Sequence, residues 1–235
     1  MKKRCIYCLK YFDSITMDHV FPKSWYLKSV PKNIEKWKVP SCARCNNIYS
    51  KLEEELLTQL GLCLSTDNND EKDIQRNILR SINPEYGRNA KDIISRTKKR
   101  KKLLADVSFF KEIPPYGILP NFGPTTRIVL PGYTTIRISP IDLEKFGGKL
   151  TKGFTYIFYN LLVRKTDEIK VIITEKKNIN FVEELFQKFS NKHNNLGNSI
   201  IIERIKAEDN TKVDILYYFN IWGKLQFYSY NEIKK

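Results

Sequence analysis

The chain has 235 residues, 41% hydrophobic and 12% aromatic, and its 41 Lys and Arg against 26 Asp and Glu give a formal charge of +15. That length and apolar content are enough for one large or two small domains with a real core, and they exclude a disordered chain. No apolar run reaches the ~18 residues of a membrane span and "MKKRCIYC" lacks the apolar core of a signal peptide, so the expectation is a cytoplasmic protein with no membrane attachment and, from its charge, a polyanionic partner.

In chain order, the first signal is cysteine spacing. Cys5 and Cys8 form one C-x-x-C pair, Cys42 and Cys45 a second, and Cys63 is left over as a buried thiol. In a reducing compartment such pairs read as metal ligands before disulfides. Two residues between cysteines let both thiolates reach one ion from a tight turn, and two such turns complete a tetrahedral Zn²⁺ site of structural type. The module between the pairs is basic, its Lys and Arg from Lys2 to Arg44 outnumbering Asp13, Asp18 and Glu35.

A helix is expected from about Asn46 to Leu62, with Leu52, Leu56, Leu57 and Leu60 on one face and Gly61 near its end. "STDNND" reads as a loop. A second helix carries Ile74, Ile78, Leu79 and Ile82 and stops at Asn83-Pro84. The stretch from Arg88 to Lys102 is dense in cations and reads as a basic helix, with Lys98, Lys99, Arg100, Lys101 and Lys102 as candidate phosphate contacts. "IPPYGILPNFGP" is a linker or long loop, and "TRIVLPGYTTIRIS" alternates like a hairpin. Ser139-Pro140 starts a helix, Gly147-Gly148 is expected to break it, and a stronger helix follows through "TKGFTYIFYNLLV". "IKVIITE" is a strand, "FVEELFQKFSNKH" a helix, and the last three strand-like runs form an antiparallel meander with Trp222-Gly223 in its final turn. The fold class is therefore α+β. The expected divisions are residues 1–62, a basic helical region at 63–112, and a C-terminal α+β domain at 113–235 with an antiparallel sheet. That last region offers no catalytic constellation. It is left for choosing targets, for a protein partner, or for a second copy of the chain.

The chemistry concentrates in "MDHVFPKSW", between the cysteine pairs. Four thiolates already complete a zinc site, so Asp18 and His19 are free for other work. Asn46 and Asn47 directly follow Cys45. A carboxylate on a hairpin and an amide on a facing helix are oxygen ligands suited to Mg²⁺ or Mn²⁺. An imidazole beside such an ion, largely neutral at pH 7, can take a proton from water. Lys23, Arg44 and Lys51 are further candidate phosphate contacts.

These residues, from Cys5-Ile-Tyr-Cys8 through Asp18-His19-Val20-Phe21-Pro22-Lys23-Ser24 to "VPSCARCNN", resemble the HNH endonucleases, whose ββα-metal core is often clamped by two C-x-x-C pairs. The resemblance covers about residues 1–51. It implies a ββα-metal core and phosphodiester hydrolysis, with His19 as general base and a divalent ion held by Asp18 and Asn46. Asn47 is the alternative ligand one register on. It also implies double-stranded DNA as the preferred nucleic acid. The family's middle Asn, which holds the histidine ring, is replaced here by Trp37, and Asn33 lies too early, so another group must orient His19. The competing reading is a non-catalytic zinc-ribbon module that binds nucleic acid. It accounts for the cysteines and the charge but not for Asp18, His19 and Asn46 together.

Overall fold

The computed structural model describes residues 2–28, 30, 36–64, 69–109, 118–119, 127–129, 134–173, 180–193 and 200–235. Asn33, most of the loop after Leu64 and most of the proline-rich segment lie outside these residues.

Mixed helix and antiparallel sheet is what the chain forms. At the N-terminus a short ribbon pairs β1 (Lys3–Arg4) with β2 (Tyr11–Phe12), and the turn between them carries Cys5 and Cys8. A second hairpin pairs β3 (Thr16–His19) with β4 (Lys38–Ser41), opposing Thr16 to Ser41, Asp18 to Val39 and His19 to Lys38. The helix α1 (Ala43–Leu60) follows at once. It begins three residues earlier than the apolar pattern indicates because Cys42 caps it, its Sγ accepting the Cys45 N–H at 3.4 Å. Apolar periodicity cannot locate that start, since the first turn is polar.

The helices α2 (Asn69–Ile82) and α3 (Ala90–Ala105) pack beside α1. Asn89 caps α3 by accepting the Asp92 N–H. The strands β5 (Val107–Phe109), β6 (Ile118–Leu119), β7 (Arg127–Val129) and β8 (Thr134–Arg137) form a sheet in the order β5-β8-β7-β6, which includes the expected hairpin.

The helix α4 (Pro140–Tyr159) is continuous, contrary to the expected break at Gly147-Gly148. The glycines serve packing. A Cβ on Gly147 would stand 2.8 Å from Val171 and 3.1 Å from Phe227, and one on Gly153 would stand 2.5 Å from Val20. The helix ends earlier than the apolar run suggests, where Asn160 takes the left-handed conformation at φ 53. After β9 (Glu168–Ile172), α5 (Asn180–Phe189) is shorter than expected. Its last predicted turn is instead β10 (Asn191–His193), an edge strand. The strands β11 (Ile200–Glu208), β12 (Lys212–Ile221) and β13 (Leu225–Lys234) complete an antiparallel sheet ordered β10-β11-β12-β13-β9. Burial along β12 alternates strictly, so one face carries Ile215, Tyr217 and Phe219 to α4 while Tyr218 and Tyr228 on the other face meet Phe186 of α5.

The two halves of the chain share one core. Trp25 stacks on Phe146 of α4 at 4.8 Å and on Trp222 of the β12–β13 turn at 5.3 Å. The Trp222 indole N–H donates to the Trp25 carbonyl at 3.1 Å. Among the described residues no helix is long and apolar enough to cross a membrane.

The Gly153 contact gives a test whose sign is informative. In a helix interior Ala is favoured over Gly by about 1 kcal/mol. Gly153→Ala should nevertheless lose about 1–3 kcal/mol, because overpacking against Val20 outweighs propensity. Urea denaturation reads this as a lower midpoint at unchanged slope.

Candidate metal centre and the hairpin beside it

Cys5, Cys8, Cys42 and Cys45 bring their Sγ atoms within 4.8 Å of one another, and such a group could hold a metal ion such as zinc. All four are free thiols. The local structure explains the convergence. In the first turn Cys5 N–H bonds the Lys10 carbonyl and Leu9 N–H bonds the Cys5 carbonyl, with Leu9 forced to φ 62. The Ile6 N–H bonds the Pro40 carbonyl, which ties that turn to β4. Cys42 and Cys45 occupy the start of α1, where free N–H groups favour negative charge. Burial opposes charge on Cys5, but N–H groups of Cys42, Cys8 and Tyr7 outweigh it and bring the thiol down to about 7. Burial pushes the Cys8 and Cys45 thiols up. A bound cation reverses that, because a coordinating thiol gives up its proton outright. Lys152 of α4 lies beside the group. Burial holds its ammonium below the ordinary range while the thiols of Cys45, Cys5 and Cys8 oppose that shift. Cys63 stays apart from the centre, buried, with Sγ 3.7 Å from the Gln59 carbonyl.

The hairpin runs from one thiolate turn towards the other. Thr16 and Asp18 point from β3 toward α1, while Met17 and His19 face away, because side chains alternate along a strand. Asn46 donates through Nδ2 to Thr16 Oγ1 at 3.1 Å. Asn47, one residue on, is exposed. The structure thus turns Asn46 to the hairpin, and it meets Thr16 rather than Asp18. Asp18 is buried, at 7% exposure. The Tyr7 hydroxyl donates to its Oδ2 at 2.8 Å, and the Lys149 ammonium lies 3.1 Å from the same oxygen. No described residue bonds Asp18 Oδ1 or Asn46 Oδ1, so the oxygens a hard cation would take are the ones left over. In donor chemistry a carboxylate and an amide oxygen suit such an ion.

His19 is half-buried. Burial holds its imidazole below the usual histidine range, Lys38, Lys23 and Lys149 add to that, and Asp18 opposes it. That shift favours the neutral ring. Trp37, at the place of the family's middle Asn, packs edge-on against Phe154 and Phe158 of α4, and its carbonyl accepts the Val20 N–H. Sequence reasoning missed Tyr7, Glu53 and Lys149. Glu53 carried a usable signal, since it lies seven residues after Asn46 and so on nearly the same face of α1. Lys149 carried none.

The phosphate-contact candidates separate by exposure. Lys23, Arg44 and Lys51 are exposed. Lys99 pairs with Glu54 and Lys102 with Glu55, which docks α3 on α1, whereas Lys98, Arg100 and Lys101 are exposed with no ion pair among the described residues. No family model matches the chain, and no curated protein or solved structure matches it significantly.

Metal binding by the four thiolates predicts one zinc per chain by elemental analysis after purification without added metal. Cys42→Ser should lose the ion while keeping a cap on α1, since a serine hydroxyl can accept the same Cys45 N–H. Because zinc contributes folding energy in so small a module, that variant should become protease-sensitive around residues 1–62. A folded, zinc-free wild type contradicts the assignment.

Proposed function

We propose that the protein is a metal-dependent endonuclease of HNH type, hydrolysing nucleic-acid phosphodiester bonds, with duplex DNA as the preferred substrate. The observation that carries the reading is a half-buried His19 at the end of a hairpin strand, next to Asp18 in the chain, with α1 presenting Asn46 to Thr16 of the same strand. A zinc-ribbon binding module has no use for that combination.

In this reading, a ring nitrogen of His19 takes a proton from water as its oxygen attacks the phosphorus in line. The bond to the 3′-oxygen breaks, leaving a 5′-phosphate and a 3′-hydroxyl. Asp18 and Asn46 would hold a divalent ion, which when bound would supply charge stabilisation at the phosphate and the departing oxygen. The zinc stays structural and distant from substrate. Burial, with Lys38 and Lys23 adding to it, lowers the proton affinity of the His19 ring, and the two ammonium groups favour a phosphate nearby.

His19→Ala should cut plasmid about 10² to 10⁴-fold more slowly in Mg²⁺ or Mn²⁺ while zinc content and binding persist. Cleavage at the wild-type rate would remove His19 from the mechanism. Binding without any cleavage by the wild type, at any divalent ion, would favour the zinc-ribbon reading. Asn46→Ala should raise the divalent-ion requirement, and Asn47→Ala should not.

A second test concerns the basic run of α3, in which Lys98, Arg100 and Lys101 are exposed with no ion pair among the described residues. Each phosphate contact lowers the slope of log affinity on log salt by about 0.9. A helix spreads these three around its surface, so no more than two can face one strand. Replacing all three by Gln in the His19→Ala background should reduce the slope by about 1–2 without altering sequence preference. Replacing Lys99 and Lys102 instead should change it less.

A further inference from the structure

The Lys149 side chain is fully buried, at 0% exposure, 130 positions along the chain from the hairpin residue it bonds. Its ammonium donates to the His19 carbonyl at 2.6 Å, to the Val20 carbonyl at 3.2 Å and to Glu53 Oε1, which uses all three protons. Asp18 Oδ2 lies against the same charge and receives its own proton from Tyr7. The two carbonyls sit where β3 ends and the chain turns toward Pro22, beyond the last strand pair at His19 and Lys38. They would otherwise be buried acceptors without donors.

From this geometry we infer that Lys149 is the positioning residue of the reaction, so that helix α4 of the C-terminal half completes the active site. The inference rests on the nuclease reading above. By gripping the His19 and Val20 carbonyls, the ammonium fixes the two successive peptide planes that follow the position from which the imidazole projects. By occupying the Oδ2 edge of Asp18 together with Tyr7, it leaves Oδ1 as the oxygen presented to a cation. Lys149 does for the His19 backbone what the sequence left unassigned when Trp37 took the place of an amide. It does so from a rigid mount: Gly153, one turn on, lets α4 approach Val20 closely, and Phe146, one turn back, stacks on Trp25.

Filling space does not account for the residue. An apolar side chain of similar volume fills such a site at little or no loss of stability, provided the partner charge is removed with it. That supplies the experiment. In the full-length protein, Lys149→Met combined with Glu53→Gln removes the ammonium and one carboxylate together, and Lys149→Arg keeps a charge while changing its shape. Zinc content and thermal transition report the fold. Single-turnover cleavage of plasmid at saturating protein reports chemistry. Mn²⁺ binding, followed by loss of the free-ion EPR signal in the His19→Ala background, reports the Asp18 oxygen without any turnover.

The double variant should keep one zinc and the same affinity for DNA, and cleave about 10²-fold more slowly, the size of effect a misplaced catalytic group produces. It should also bind Mn²⁺ at least several-fold more weakly. Lys149→Arg should fold and recover part of the rate. A folded double variant that cleaves and binds Mn²⁺ as the wild type does overturns the inference and leaves the nuclease reading intact. If the double variant does not fold, Lys149→Arg decides alone, and wild-type rate and Mn²⁺ affinity in that variant overturn it. A wild type that neither cleaves nor binds Mn²⁺ sinks the nuclease reading, and this inference with it.

Discussion

A buried ammonium, that of Lys149, determines how the two halves of this molecule meet. Bringing one amino group out of water costs several kcal/mol unless its protons are all used and an opposite charge is close. Here three acceptors and the Asp18 carboxylate meet that requirement, and they come from β3, from the turn after it and from α1. The hairpin, α1 and α4 must therefore be in register before the cost is offset. The neighbouring features follow from that depth of insertion. Gly153 has no side chain because Val20 occupies the space. Trp25 closes the other side between Phe146 and Trp222.

The same cluster holds two carboxylates against one ammonium. Burial pushes the Glu53 carboxyl above its ordinary range while Lys149 opposes the shift, so the excess negative charge is relieved in part by that residue. Asp18 takes a hydrogen bond from Tyr7 as well, and the Tyr7 hydroxyl is held far from ionising by burial and by that carboxylate. The cluster is therefore a local source of negative field inside a protein of charge +15. The thiolate side repeats the arrangement: Lys152, on the next turn of α4, brings a cation to a group that becomes anionic when it binds metal. One helix thus serves two sites of like charge with two lysines three residues apart.

The excess of Lys and Arg is not one continuous surface. Part of it is consumed internally. Lys99 and Lys102 fasten α3 to α1 through Glu54 and Glu55, and Arg137 pairs with Asp106 at the end of α3. Exposed pairs of this kind contribute about 0–1 kcal/mol each, so they bias the seating of α3 more than they stabilise it. Among the described residues, the charge left outward includes Lys23, Lys38, Arg44 and Lys51 around the hairpin, and Lys91, Lys98, Arg100 and Lys101 on α3.

What the sequence determined by itself was local. The C-x-x-C spacing fixes two tight turns, and turn geometry depends on neighbouring residues, so the four-cysteine group was legible without a fold. The same holds for the cap at Ser139, the stop of α2 at Asn83-Pro84, the apolar faces of α1 and, Leu79 apart, of α2, and the alternation of the final meander. Asp18, His19 and Asn46 could be singled out because they lie close to those turns in the chain. What only the tertiary structure decided was everything that depends on distant segments meeting. Gly147-Gly148 reads as a break because an isolated helix loses stability at glycine, yet α4 continues through both, and at Gly147 Val171 and Phe227 pack where a side chain would have been. Lys149 looks like any solvated lysine, and nothing within several residues of it indicates burial. Its role exists only because a helix from the far half of the chain lies over the end of β3, where two peptide carbonyls and two carboxylates wait for a donor.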